Sequence, residues 1–227
     1  VTAGGSVAAS GSTGGDHSNT IDYAKLDKAM TDSILKFPAT TKGQGNGELA
    51  PKILADGTKQ FDITTEIIDW EVEPGRIVKA WAYNGMVPGP VIRTKVGDKV
   101  KLVVTNKLPM GTNVHVHGIE MPFEMDGVSP ITQKLIEPGT TFTSSFTTPV
   151  AAVAMYHAHN HGQFQVTNGL FGVFITGDMP LPTGRTIGGI AIPANIKISQ
   201  RIPMVLNDAG VIGLSLNGKG FPATQPY

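Results

Sequence analysis

Two short histidine pairs constrain this chain more than any other feature. One is His115-Val116-His117-Gly118; the other is Tyr156-His157-Ala158-His159, followed by Asn160-His161-Gly162. Five of the six histidines lie in these two segments, and only His17 lies elsewhere. Side chains of an extended strand alternate between faces, so residues i and i+2 point the same way. Each H-x-H therefore sets two imidazoles on one strand face, roughly 6–7 Å apart. That separation suits two neighbouring metal ions, each taking one imidazole from each strand. Imidazole favours copper, zinc, iron and nickel over magnesium or calcium. A single H-x-H would fit chance, or two-thirds of a three-histidine zinc site. Two of them, each within strand-like sequence, point to a metal centre built across two strands.

Composition removes several alternatives. The chain has no cysteine, which excludes disulfides, thiolate zinc sites and a cysteine nucleophile. It also excludes a blue-copper centre here, because such a centre needs a Cys sulfur. Lys plus Arg and Asp plus Glu each number 18, so a broad electrostatic grip on nucleic acid or an anionic membrane is not expected. No apolar run approaches the roughly 18–20 residues of a membrane helix.

Along the chain, residues 1–18 are Gly/Ser/Ala/Thr-rich and read as a flexible linker. Such a leader is expected of an exported protein, secreted or held in the periplasm or at the cell surface. Residues 19–60 form an extension. Its first part, 19–37, has Leu26, Met30, Ile34 and Phe37 near helical spacing, with Thr20 as a cap and Pro38 as a stop; a role in packing is expected. Residues 38–60 read as a loop. From Phe61 the pattern is one of short strands: Phe61–Thr64, Arg76–Tyr83 after a Pro74-Gly75 turn, Val91–Thr94, Lys99–Asn106, Asn113–Ile119, Thr141–Thr147, Met155–His159 and Leu170–Thr176. Regular turn signals between short strands indicate a β-sandwich or barrel over residues 61–180. Residues 181–202 then read as a linker. An echo follows over 203–227: Leu216-Asn217-Gly218-Lys219-Gly220-Phe221-Pro222 repeats the form of Tyr83-Asn84-Gly85-Met86-Val87-Pro88. Self-similarity of this kind is expected where a second copy of the same domain begins, here a truncated one; a hairpin packing on the first domain is the other reading.

Three segments resemble the N-terminal cupredoxin domain of the multicopper oxidases, the laccase-like group. They are Tyr83-Asn84-Gly85 with Pro88-Gly89-Pro90 and Gly97-Asp98; His115-Val116-His117-Gly118-Ile119-Glu120 with Glu124-Met125-Asp126-Gly127; and Glu137-Pro138-Gly139 through His157-Ala158-His159-Asn160-His161-Gly162 to Gly169-Leu170-Phe171-Gly172. The resemblance implies an all-β, cupredoxin-like Greek-key sandwich. It further implies that His115 binds a type 2 copper, and that His117, His157 and His159 bind a coupled type 3 pair. Asp126 matches a family carboxylate near the cluster, which can relay protons; an exposed turn aspartate is the alternative. His161 has no ligand role and is expected to steer an imidazole tautomer. Val116 and Met155 stand where the family usually has aromatic residues, and neither change touches a ligand.

The implied activity couples one-electron oxidation of a small reducing substrate to reduction of O2 to water. This chain would supply half of the cluster's imidazoles. The partner would be a second cupredoxin domain or a neighbouring subunit, often in a trimer, with the type 1 copper outside this chain. Alone, the chain is expected to be inactive. Two rivals stand beside this reading: a non-catalytic copper carrier or scaffold, and a three-histidine zinc hydratase or hydrolase.

Overall fold

A computed structural model describes residues 21–226. The expected linker over 1–18, with His17, and the expected cap Thr20 lie outside the described residues. Helix α1 spans Tyr23–Leu35. Its start is capped by Asp22, whose Oδ1 accepts a hydrogen bond from the Lys25 N–H at 2.9 Å. None of its residues is buried, and the stripe Leu26, Met30 and Ile34, for which a packing role is expected, is exposed.

Residues 36–227 form a separate compact unit. Its strands are β1 (Lys52–Ile53), β2 (Lys59–Glu73), β3 (Arg76–Tyr83), β4 (Gly89–Thr94), β5 (Lys99–Asn106) and β6 (His115–His117), followed by β7 (Thr141–Thr147) and β8 (Ala152–His157). A short helix α2 (Gly162–Gln165) leads to β9 (Phe171–Thr176), and two small hairpins follow: β10–β11 (Thr186–Ile187, Ile190–Ala191) and β12–β13 (Leu206–Ala209, Gly213–Leu216). The strands outside these two hairpins form two sheets. One runs β1-β2-β5-β7 with β3 also on β2; the other runs β4-β9-β8-β6. The pairs β2–β5 and β4–β9 are parallel, and the remaining ladders are antiparallel. Strand β2 is long enough to serve three partners, its first half pairing β1 and β5 and its second half β3.

Alternation along each strand builds the core. In β5, Val100, Leu102 and Val104 are buried while the residues between them face outward. They join Phe61 and Ile63 of β2 and Phe146 of β7, and they share one cluster with Ile92, Val116, Tyr156 and Phe174 of the other sheet. This is the two-layer arrangement expected of a cupredoxin-like sandwich.

The sequence segments Pro88-Gly89-Pro90 and Gly169-Leu170-Phe171-Gly172 acquire a physical reason here. Gly89 and Gly172 face each other across β4 and β9. A Cβ on Gly172 would lie 2.3 Å from Tyr156 Cζ, and one on Gly89 would lie 2.7 Å from the Tyr156 hydroxyl oxygen. The two glycines therefore clear a slot for the Tyr156 ring. Inside it the Tyr156 hydroxyl donates to the Pro90 carbonyl at 2.6 Å. Tyr156 precedes His157, so this slot anchors the strand that carries the second histidine pair.

The echo at 216–222 is also structural. Asn84 and Asn217 both take left-handed backbone, with φ of 51° each. Asn84 Oδ1 accepts from the Thr64 N–H while its Nδ2 donates to the Asp62 carbonyl. Asn217 repeats this, with Oδ1 accepting from the Val205 N–H and Nδ2 donating to the Pro203 carbonyl. The second hairpin contributes Ile212 to a smaller core with Trp70, Val72 and Val87. Trp70 Nε1 donates to the Gly218 carbonyl at 2.7 Å. The expected loop over 38–60 is stitched to the sandwich by β1 and by a parallel bridge from Glu48 to Val91.

Candidate metal centre

Strands β6 and β8 pair in a register that sets His115 opposite His157, Val116 opposite Tyr156 and His117 opposite Met155. Val116 and Tyr156 are buried in the core, so the flanking imidazoles emerge on the other face of the sheet. His115 and His157 are half-buried, whereas His117 and His159 are exposed.

The four rings meet. His115 lies at the centre, with ring centroids 5.5 Å from His117, 5.4 Å from His157 and 5.5 Å from His159. One donor nitrogen from each of His115, His117 and His157 lies within 4.8 Å of the other two. His159 stands outside that set of three but closes the ring of imidazoles, 6.3 Å from His157. The second pair differs from the expected strand over Met155–His159: β8 stops at His157, and His159 sits on the turn beyond it.

Two tautomers are set by main-chain carbonyls. His115 Nδ1 lies 2.6 Å from the Asp126 carbonyl oxygen, and His157 Nδ1 lies 3.0 Å from the Ala158 carbonyl oxygen. A carbonyl can only accept, so each neutral ring carries its proton on Nδ1 and leaves the Nε2 lone pair free for a metal. The Asp126 contact depends on the residue after it. Gly127 has a φ of 80°, and a Cβ there would fall 2.1 Å from the Val114 carbonyl oxygen. Only glycine lets this turn approach β6 closely enough to present the Asp126 carbonyl.

Asp126 was singled out for its side chain, and that carboxylate is also near: Oδ1 lies 3.4 Å from His115 Nδ1. The backbone contact is the closer one, and nothing in sequence marked it. His161 is exposed, holds a left-handed conformation (φ 47°) and precedes α2, its carbonyl accepting from the Phe164 and Gln165 N–H groups. Among the described residues, the steering expected of its imidazole falls to the Asp126 and Ala158 carbonyls. Burial lowers the His157 pKa, opposed by the Ala158 carbonyl and reinforced by His115, His117 and His159. His157 therefore stays neutral, the form that binds a metal, to lower pH than an ordinary imidazole.

The multicopper oxidase family model matches residues 64–180, which include both histidine pairs and the sandwich that carries them. The chain belongs to the multicopper oxidase family. Among relatives of this multicopper oxidase chain, copper resistance protein A of Pseudomonas syringae pv. tomato is 41% identical over 101 residues, 44% of this chain and 16% of that protein. The multicopper oxidase MmcO of Mycobacterium tuberculosis is 42% identical over 97 residues, 43% of this chain and 19% of that protein. The match thus spans less than a fifth of either relative. Among solved structures, the blue copper oxidase from Nitrosomonas europaea is 30% identical at a TM-score of 0.63, covering 74% of this chain and 55% of that one. Copper is the metal this family implies. The donor set fits it: neutral imidazoles, two with Nε2 freed by their Nδ1 contacts, and no competing thiolate.

Proposed function

We propose that this chain forms one wall of a copper cluster in an oxidase that couples one-electron oxidation of a small reductant to four-electron reduction of O2 to water. In this reading His115 binds the type 2 copper and His117, His157 and His159 bind the type 3 pair. The observation that carries it is the meeting of four imidazoles from β6 and the end of β8 around His115. Copper held there would supply the electron-transfer chemistry.

The chain's own residues have distinct parts in this proposal. The Asp126 and Ala158 carbonyls hold the His115 and His157 tautomers. The Asp126 carboxylate, beside His115, relays protons towards the cluster, since reduction of O2 to water consumes four protons. His117 and His159 lie exposed on the open side of the cluster, where further imidazoles would arrive from a second cupredoxin domain or a neighbouring subunit, such as the next member of a trimer. The matching hydrogen-bond patterns of Asn84 and Asn217 support reading residues 203–222 as the opening hairpin of such a second copy. The type 1 copper and the site that accepts the reductant would lie on that partner. Export from the cytoplasm belongs to the same proposal.

Copper analysis and oxygen-uptake assays on this chain test the reading. The expected result is copper bound below three ions per chain and no catalytic oxygen uptake. Uptake appearing on addition of a complementary cupredoxin domain supports the half-cluster assignment. Turnover by this chain alone overturns it, and failure to bind copper overturns the metal assignment.

A further inference from the structure

Strand pairing explains the placement of His115, His117 and His157, but it does not reach His159. The β6–β8 ladder ends at the His115–His157 pair, and His159 lies two residues past the end of β8. Something other than the sheet must hold it against His115.

That contact comes from Asn113, two residues before His115. Its side chain is fully buried. Asn113 Oδ1 accepts from the main-chain N–H of His159 at 2.8 Å and from that of Asn160 at 2.9 Å. Its Nδ2 lies 3.5 Å from Ser129 Oγ, on the loop that follows Asp126 and Gly127. Neighbouring residues extend the connection. Thr112 Oγ1 donates to Gln165 Oε1 at 2.6 Å, and Gln165 Nε2 donates to the Gly111 carbonyl at 3.0 Å. Asn160 Nδ2 donates to the same carbonyl at 3.3 Å. The segment 111–113 thus gathers the chain that follows His157 and ties it to the start of β6.

We propose that Asn113 is the positioning residue for His159: a buried amide that replaces the missing strand ladder and couples the two histidine pairs. This rests on the proposed ligand role of His159. The residue type follows from the task. A side-chain carbonyl can accept two N–H groups at once, while the amide NH2 keeps the same side chain satisfied on its other side. Removing the acceptor leaves two part-buried donors without their partner, so the turn opens to find water.

The test uses the full chain, uniformly 15N-labelled, with zinc(II) as the probe, comparing Asn113→Leu and Asn113→Asp. Leucine has similar bulk and no acceptor; aspartate keeps the acceptor oxygen but replaces the NH2 donor with a second, charged acceptor. In Asn113→Leu, amide exchange at His159 and Asn160 should accelerate by about tenfold or more. The His159 ring signal should no longer shift at zinc concentrations that still shift His115 and His157. Asn113→Asp should restore both. An unchanged His159 response in folded Asn113→Leu overturns the proposal, as does loss of all four ring responses together in both variants. If Asn113→Leu does not fold, exchange in the unsubstituted chain decides: protected His159 and Asn160 amides support the proposal, and open-loop rates overturn it. Protected amides with no zinc response from the His159 ring would instead defeat its ligand role, leaving Asn113 as the anchor of the turn.

Discussion

His115 Nδ1 donates to the main-chain carbonyl of Asp126 at 2.6 Å, while the Asp126 carboxylate oxygen stands 3.4 Å away. The residue therefore acts on His115 through its backbone, and its side chain remains available for another task. This separation makes the two roles distinguishable by substitution.

Asp126→Asn keeps the carbonyl and removes the acid. Copper or zinc affinity, measured by calorimetric titration, should stay within about threefold, whereas oxygen reduction in the assembled oxidase should fall about 10²-fold or more. Equal losses in binding and turnover would mean that the carboxylate serves only to place His115. Gly127→Ala tests the other half: it forces the turn away from Val114 and should weaken metal binding by about 10–100-fold.

The pH dependence follows from His157. Its pKa in the fold is lowered, chiefly by burial. Between that lowered value and the ordinary histidine value near 6.5, the unfolded chain binds a proton that the folded chain refuses. Stability is therefore full above about pH 6.5 and falls as pH drops through the folded value. Urea unfolding midpoints across pH 5–8 should show this slope, and His157→Gln should flatten it. A slope unchanged in the variant would assign the effect to another group.

Gly172→Ala should damage the sandwich by overpacking the Tyr156 slot. The added Cβ would strike the ring of Tyr156, which is fully buried and bonded to the Pro90 carbonyl. A loss of about 1–3 kcal/mol is expected from overpacking, read from chemical denaturation. Because Tyr156 precedes His157, metal affinity should fall as well. A variant with both properties intact would show that the slot has room to adjust.

Lys219 is buried, donates to the Lys42 and Glu71 carbonyls at 2.8 and 2.7 Å, and lies 4.0 Å over the Trp70 ring. Lys219→Met keeps the apolar stem and leaves both carbonyls without their donor. It should cost about 1–3 kcal/mol and expose Trp70, visible as a red shift in its fluorescence. Unaltered stability and emission would show that water replaces the ammonium without penalty.

Much of the fold was legible because its signals are local. Alternation over Lys99–Asn106 and Thr141–Thr147 marks strands that the structure places at those positions, and the Asn-Gly turns at 84 and 217 carry the left-handed backbone they announce. The helix signal over 19–37 was local too, and a shorter helix is present. Its packing was not legible, since spacing reports an apolar stripe but not whether any surface covers it.

For the candidate metal centre, the sequence by itself determined the candidate donors: two H-x-H pairs, no thiol, and a spacing that puts His115 and His117 on one strand face. Only the tertiary structure decided how they meet. The β6–β8 register sets His115 against His157, the Gly127 turn brings a carbonyl to His115, and Asn113 draws His159 inward after the strand has ended. Spacing encodes the direction of a side chain along its own strand. Register and long-range hydrogen bonds depend on segments tens of residues apart finding each other, which is why residue identity gave the candidate ligands and folding gave their arrangement.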